Sequence, residues 1–172
     1  MSTVPPSPPW ATTPAVGPDP GNRFGQGKNV PLIAMAHEIP YVATATVADL
    51  RDLEYKATRA MDFRGARYLH ILVPCPLGWG SSPADTIKVA RLATESGLFP
   101  VFEAETGQVV SSTSIRHRVP VTDYLRIQAR YAHLFRPAER TEVIARIQAA
   151  ADRNITRFGL MPENISMERT GV

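Results

Sequence analysis

Two apolar runs rich in β-branched residues, YVATATV at residues 41–47 and RYLHILV at 67–73, are separated by a stretch with helical periodicity, and this alternation constrains the fold most. Between them Leu50, Leu53, Ala57 and Met61 recur at helical spacing. That predicts a helix burying those residues, with Thr46 as its cap and Asp49 in its first turn. After the second run, Ser82 as cap, Pro83 at the first helical position and Asp85 in the first turn predict another helix. Ile87, Val89, Ala90, Leu92 and Ala93 give it a broad apolar face, and Gly97 ends it. Residues 101–105 read as a third strand and 107–114 as a weaker extended piece. A short helix over 29–37 precedes the first strand. Two more helices follow, over 121–135 and 138–158, the second with Val143, Ile147, Ala151, Ile155 and Phe158 in a stripe stopped by Gly159. Strand and helix alternating in this way is the pattern of parallel βαβ units, so the expected fold class is α/β, a mostly parallel sheet flanked by helices. Three good strands make a narrow sheet for 172 residues, which suggests half of a larger one.

The start of the chain is different. Pro5, Pro6, Pro8, Pro9, Pro14, Pro18 and Pro20 each fix φ and remove a backbone donor, so residues 1–28 read as a proline-rich extended arm. Residues 29–160 then form the α/β domain and 161–172 a tail expected to be flexible. The length suits one domain, and 44% apolar with 20% charged residues is a globular composition. Lys and Arg outnumber Asp and Glu by 19 to 16, but the two signs are interleaved along the predicted helices, so no nucleic-acid partner is expected. No apolar run approaches the roughly 20 residues that span a bilayer, and the first residues lack a signal-peptide core. No membrane partner is expected, and the predicted location is the cytoplasm.

The cysteine count is one, in RYLHILVPCPLGWG at residues 67–80. A single cysteine permits no internal disulfide and no Cys-rich metal site made by this chain alone. Cys75 falls just past the carboxyl end of a predicted strand, where ligands and reacting groups gather in open α/β sheets. Pro74 and Pro76 stiffen the backbone on either side, Gly78 permits a sharp turn and Trp79 offers an apolar wall. Three readings stand side by side: a small buried apolar residue, a nucleophile, and a ligand in an iron–sulfur site shared with another polypeptide. The nucleophile needs a base, and His70 lies five residues back on the same strand, pointing to the opposite face.

Four segments in order carry a resemblance. AMAHEIPYVATATV at 34–47, ARYLHILVPCPLGWG at 66–80, ARLATESGLFPVFEAETG at 90–107 and VPVTDYLRIQARYAHL at 119–134 together resemble the C-terminal half of the β subunit of pyruvate:ferredoxin oxidoreductase. This is the thiamine-diphosphate subunit of the 2-oxoacid:ferredoxin oxidoreductases. PPWATTPAVG at 8–17 is similar to the crossing that follows the cofactor-binding half in that family. The resemblance implies a partial thiamine-diphosphate-binding fold lacking its N-terminal cofactor-binding half. It implies oxidative decarboxylation of a 2-oxo acid to acyl-coenzyme A, with electrons leaving through 4Fe-4S clusters to ferredoxin. It makes Cys75 the counterpart of the distant fourth ligand of a 4Fe-4S cluster. The other three cluster cysteines, and the Gly-Asp-Gly segment that holds the magnesium ion (Mg2+) and diphosphate, belong to the family's N-terminal half. None of these cofactors is therefore expected on this chain alone. The implied partners are a polypeptide carrying the N-terminal half, the other oxidoreductase subunits, ferredoxin, the 2-oxo acid and coenzyme A. A non-catalytic structural or regulatory subunit, a truncated fragment and a free-standing small-molecule-binding domain are the alternatives.

Other features read more simply. Thr12 and Thr13 are weak candidates to face the thiamine site, since threonines beside prolines are commonly turn residues. His37 suits a helix end, where a cation meets the dipole. His70, His117 and His133 form no i, i+4 pair, so a histidine metal site is not expected. Arg116 and Arg118 flank a turn that an acidic partner would fit. Tyr124, Tyr131 and Phe135 read as packing residues. Glu38 stands where the family usually has glycine, and a left-handed backbone there would cost glutamate about 1 kcal/mol that glycine avoids.

Overall fold

The computed structural model describes residues 28–161. Thr12 and Thr13, with the rest of the arm up to residue 27, lie outside the described residues, as does the tail from 162 onward. The first helix, α1 (Val30–Ala36), opens at Asn29, whose side-chain oxygen accepts the Leu32 amide at 3.2 Å, and carries Pro31 in its first turn. It ends at His37, and the chain leaves through Glu38 at φ +52°, in the left-handed region. The strand β1 (Tyr41–Thr46) is buried along its whole length.

The next helix, α2 (Leu50–Ala60), starts later than its sequence suggests. Asp49 caps it, accepting the Asp52 amide at 3.1 Å, while the Thr46 hydroxyl accepts the nearer Ala48 amide at 3.3 Å. A carboxylate satisfies the first-turn donors and also favours the positive end of the helix. From α2 the chain enters β2 (Arg67–Leu72), which runs parallel to β1 from Tyr41–Arg67 to Thr46–Leu72. A four-residue helix α3 (Pro76–Trp79), a 3₁₀ turn Pro83–Asp85 and α4 (Thr86–Glu95) lead to β3 (Phe102–Glu105) and β4 (Gln108–Ser112). The strand order is β2-β1-β3-β4.

The α/β class holds, but the sheet is mixed rather than mostly parallel. β3 runs antiparallel to β1, pairing Ala104 with Val42, and β4 runs antiparallel to β3. The connection from β2 to β3 contains separate helical pieces broken at Gly80, so it leaves one end of the sheet and returns to that same end. A single crossover helix would have delivered the chain to the opposite end. Thr44 joins the two strands where Pro100 has no amide to offer: its hydroxyl donates to the Pro100 carbonyl at 2.7 Å and accepts the Phe102 amide at 2.9 Å. Thr106 and Gly107, both at positive φ, form the two-residue turn between β3 and β4.

The helix expected over 121–135 is also broken, into α5 (Val121–Arg126) and a 3₁₀ segment Ala129–Leu134. Gln128 explains the break. Its side chain donates to the Tyr124 carbonyl, which the Gln128 amide would occupy in a continuing helix, and that amide turns to Leu125 instead. The last helix, α6 (Thr141–Phe158), buries Ile144, Ile147, Ala151, Ile155 and Phe158, close to the predicted stripe, and Gly159 at φ +58° ends it.

The main core lies on one face of the sheet. Leu72, Val89, Ala93, Phe99, Leu125 and Ile147 belong to one cluster there, and Val42, Phe102, Ala104 and Phe158 to a second. On the other face, among the described residues, Ala60 at the end of α2 and Phe63 just beyond it pack with Tyr41, Ala43 and Leu69. The face α2 buries is not the predicted one. Lys56 and Ala60 point inward, whereas Leu50 is 66% and Met61 73% exposed. Lys56 Nζ donates to the Thr44 carbonyl at 3.0 Å and to Asp52 at 2.8 Å, and Arg59 pairs with Glu103 and Glu105 on β3. These polar anchors set the rotation of the helix, so the apolar stripe turns away from β3.

Candidate functional site

Cys75 is where sequence and structure converge. β2 is anchored by Leu72 in the core, and the backbone emerges through buried Pro74 into Cys75, which is exposed. Cys75 is the cap of α3. Its Sγ accepts the Gly78 amide at 3.4 Å, its carbonyl accepts the Trp79 amide at 2.9 Å, and Pro76 pre-sets φ at the first helical position. Among the described residues, then, Cys75 is an exposed cap rather than a buried packing residue.

The loop is held from below. Trp79 is buried, with the Arg130 guanidinium 3.8 Å from its ring centroid. Arg130 is itself buried: Nε donates to Gln128 at 2.9 Å and an Nη to the Tyr124 hydroxyl at 2.9 Å, and its guanidinium lies 4.8 Å from the Tyr131 ring. Gly80, at φ +63°, closes α3, and its carbonyl accepts the Ala129 amide at 3.0 Å. A Cβ on Gly80 would sit 2.6 Å from that of Ala129. The fold thus presents one sulfur at the surface from a stiff base, with an amide directed at it. Such a donor suits a sulfur carrying negative charge, as a metal-bound thiolate does.

The remaining titratable groups do not join Cys75. His70 Nδ1 lies 2.7 Å from the Tyr68 hydroxyl, and its ring stacks on Phe99. Burial holds the imidazole below its ordinary pKa of 6.5. The described hydrogen bond to Cys75 Sγ comes from an amide, not an imidazole. His37 and His117 are exposed. Arg118 pairs with Asp152 on α6, while Arg116 is exposed. Tyr124 and Tyr131 are buried, in keeping with packing roles. Among the described residues no group of three or more His, Cys, Asp or Glu side chains is placed to hold a metal ion. One exposed thiol fits a single ligand position in a site completed by other groups.

Sequence reasoning missed two polar assemblies. One is the Trp79–Arg130–Gln128–Tyr124 clamp beneath Cys75. Its signal is the polar pair Gln128 and Arg130 inside an otherwise apolar stretch. The other lies between α2 and the sheet, where the Tyr41 hydroxyl donates to Glu103 at 2.7 Å and Arg59 bridges Glu103 and Glu105. Burial, and then the carboxylate, push the Tyr41 phenol well above its ordinary pKa. Its signal is Glu103 within the apolar run VFEAE.

No protein-family model matches the chain. Individual proteins do. It is 41% identical over 133 residues to pyruvate synthase subunit PorB of Methanosarcina barkeri, covering 77% of this chain and 45% of that protein. Against pyruvate synthase subunit PorB of Methanocaldococcus jannaschii it is 39% identical over 133 residues, covering 77% of the chain and 43% of the relative. Ketoisovalerate oxidoreductase subunit VorB of Pyrococcus abyssi is 35% identical over 109 residues, 62% of this chain and 35% of that subunit. The chain spans less than half the length of these relatives. It belongs to the family of 2-oxoacid:ferredoxin oxidoreductase β subunits that includes pyruvate synthase subunit PorB, and corresponds to a part of such a subunit.

Proposed function

We propose that the chain acts as the carboxy-terminal half of the β subunit of a 2-oxoacid:ferredoxin oxidoreductase, with pyruvate as its 2-oxo acid, and that Cys75 supplies one thiolate to a 4Fe-4S cluster. The other cluster ligands, and the groups that hold thiamine diphosphate and Mg2+, lie on the amino-terminal half, whether that half is joined to this chain or supplied separately. When bound, thiamine diphosphate supplies the carbanion chemistry of decarboxylation and the cluster a one-electron path toward ferredoxin. This chain's part is to hold its sulfur still. The observation that carries the reading is the exposed, clamped Cys75 at the end of β2, in a chain whose relatives are named as pyruvate synthase subunits.

The test is co-expression with a polypeptide carrying the amino-terminal half, together with the other subunits. The expected product is a brown complex that reduces viologen dye with pyruvate and coenzyme A, while the chain alone is colourless and inactive. Cys75→Ser is expected to leave the complex assembled and to lower its iron content and alter its cluster spectrum. A complex with full iron and an unchanged spectrum in Cys75→Ser would remove Cys75 from the cluster. A colourless, inactive complex would favour a structural or regulatory subunit.

A further inference from the structure

Cys75 is exposed among apolar side chains. From Ile71 to Gly80 the chain reads ILVPCPLGWG, ten residues without a charged or hydroxyl side chain. Exposed and buried positions alternate through its first half: Ile71, Val73 and Cys75 face out, while Leu72 and Pro74 between them are buried. Cys75 itself is extended, at φ −99° and ψ 107°, so Val73 and Cys75 share one side of the backbone. α3 then turns Trp79 inward and leaves Leu77 outside, 90% exposed, with Val73 at 56%.

The sulfur therefore has an open apolar residue two positions before it and another two positions after it. The donor that the fold directs at Sγ is the Gly78 backbone amide, at 3.4 Å. Trp79 is held by Arg130, so the turn that carries Leu77 has a fixed base. Single exposed apolar residues are ordinary on a protein surface, but these two bracket the one thiol of the chain.

We propose that Val73 and Leu77 form an apolar collar beside the cluster that Cys75 helps to hold, keeping water from its sulfur and setting its reduction potential low. The inference rests on the shared-cluster reading above. In that reading each electron comes from oxidation of the 2-oxo acid and passes on toward ferredoxin. A 4Fe-4S cluster held by thiolates gains one negative charge and no proton with the electron it takes up, so water stabilises the reduced form more than the oxidised one. Apolar side chains around the sulfur withhold that stabilisation and lower the potential. The Gly78 amide acts in the opposite sense, because it favours negative charge on Sγ. That donor belongs to the backbone, so the side chains at 73 and 77 are the part of the setting that sequence can adjust.

The test is a redox titration of the co-expressed complex, with the cluster followed by electron paramagnetic resonance, together with the rate of iron loss in air. Leu77→Asn and Val73→Thr are close in size to the residues they replace. Each is expected to shift the reduced-to-oxidised ratio at a fixed potential by about threefold or more toward the reduced form, and to speed iron loss. Leu77→Met, which keeps the collar apolar, and Val110→Gln on β4 are expected to match the wild type. A cluster whose midpoint and air stability are unchanged in both polar variants overturns the collar and leaves Cys75 standing as a ligand. Loss of the cluster in Leu77→Met as much as in Leu77→Asn would make position 77 a matter of assembly, and overturns the collar too. A wild-type complex without a cluster, or one whose cluster is indifferent to Cys75→Ser, overturns the collar and the shared-cluster reading together.

Discussion

Glu38 shows how much one backbone angle reveals. At φ +52° it sits where side chains with a Cβ are strained, immediately after α1, and its side chain is exposed. The cost anticipated from the sequence is therefore incurred. Glu38→Gly is expected to stabilise the chain by about 1 kcal/mol, read as a higher urea midpoint with an unchanged slope. His70 provides a second handle. Its folded-state pKa is depressed by burial, so the folded chain resists protonation more than the unfolded chain does. Its contribution to stability is present above pH 6.5 and is lost as pH falls through 6.5 toward the lower folded value. With Nδ1 unprotonated the Tyr68 hydroxyl donates to it, and protonation removes that acceptor. Denaturation from pH 7.5 down to 5 is expected to show a decline in stability that is shallower in His70→Gln. An identical decline in both would place the effect elsewhere.

The loop after β2 depends on two elements meeting without spare room. Gly80 lies against Ala129, and Arg130 stacks on Trp79, so α3 and the 3₁₀ segment Ala129–Leu134 behave as one unit. Gly80→Ala combines a left-handed backbone with a 2.6 Å approach, and is expected to cost about 2 to 4 kcal/mol. As the loop loosens, Cys75 should react faster with a thiol-modifying reagent. Ala129→Gly in the same molecule should recover the steric part of the loss but not the backbone part. No recovery would mean that Gly80 acts through its φ alone. The break at Gln128 serves the same arrangement, because the residues that stop α5 also seat Arg130.

The molecule as a whole has one well-filled face and one thinly covered one. Helices α4, α5 and α6 pack over the first, while α2 alone covers the second among the described residues. That imbalance agrees with a match to under half of each PorB relative named above. The amino-acid sequence by itself determined the elements and their class. Alternating β-branched runs and apolar helical stripes, a cap such as Ser82, and stops such as Gly97 and Gly159 are local choices, made within a few residues of the chain. It also singled out Cys75 and the strained position of Glu38. Only the tertiary structure decided the direction of β3, because that depends on where the whole connection from β2 comes back. Likewise, the stripe on α2 was legible, but its exposure was not. Periodicity shows that apolar residues share a face, whereas Lys56 and Arg59 finding partners on distant strands decides which way that face turns.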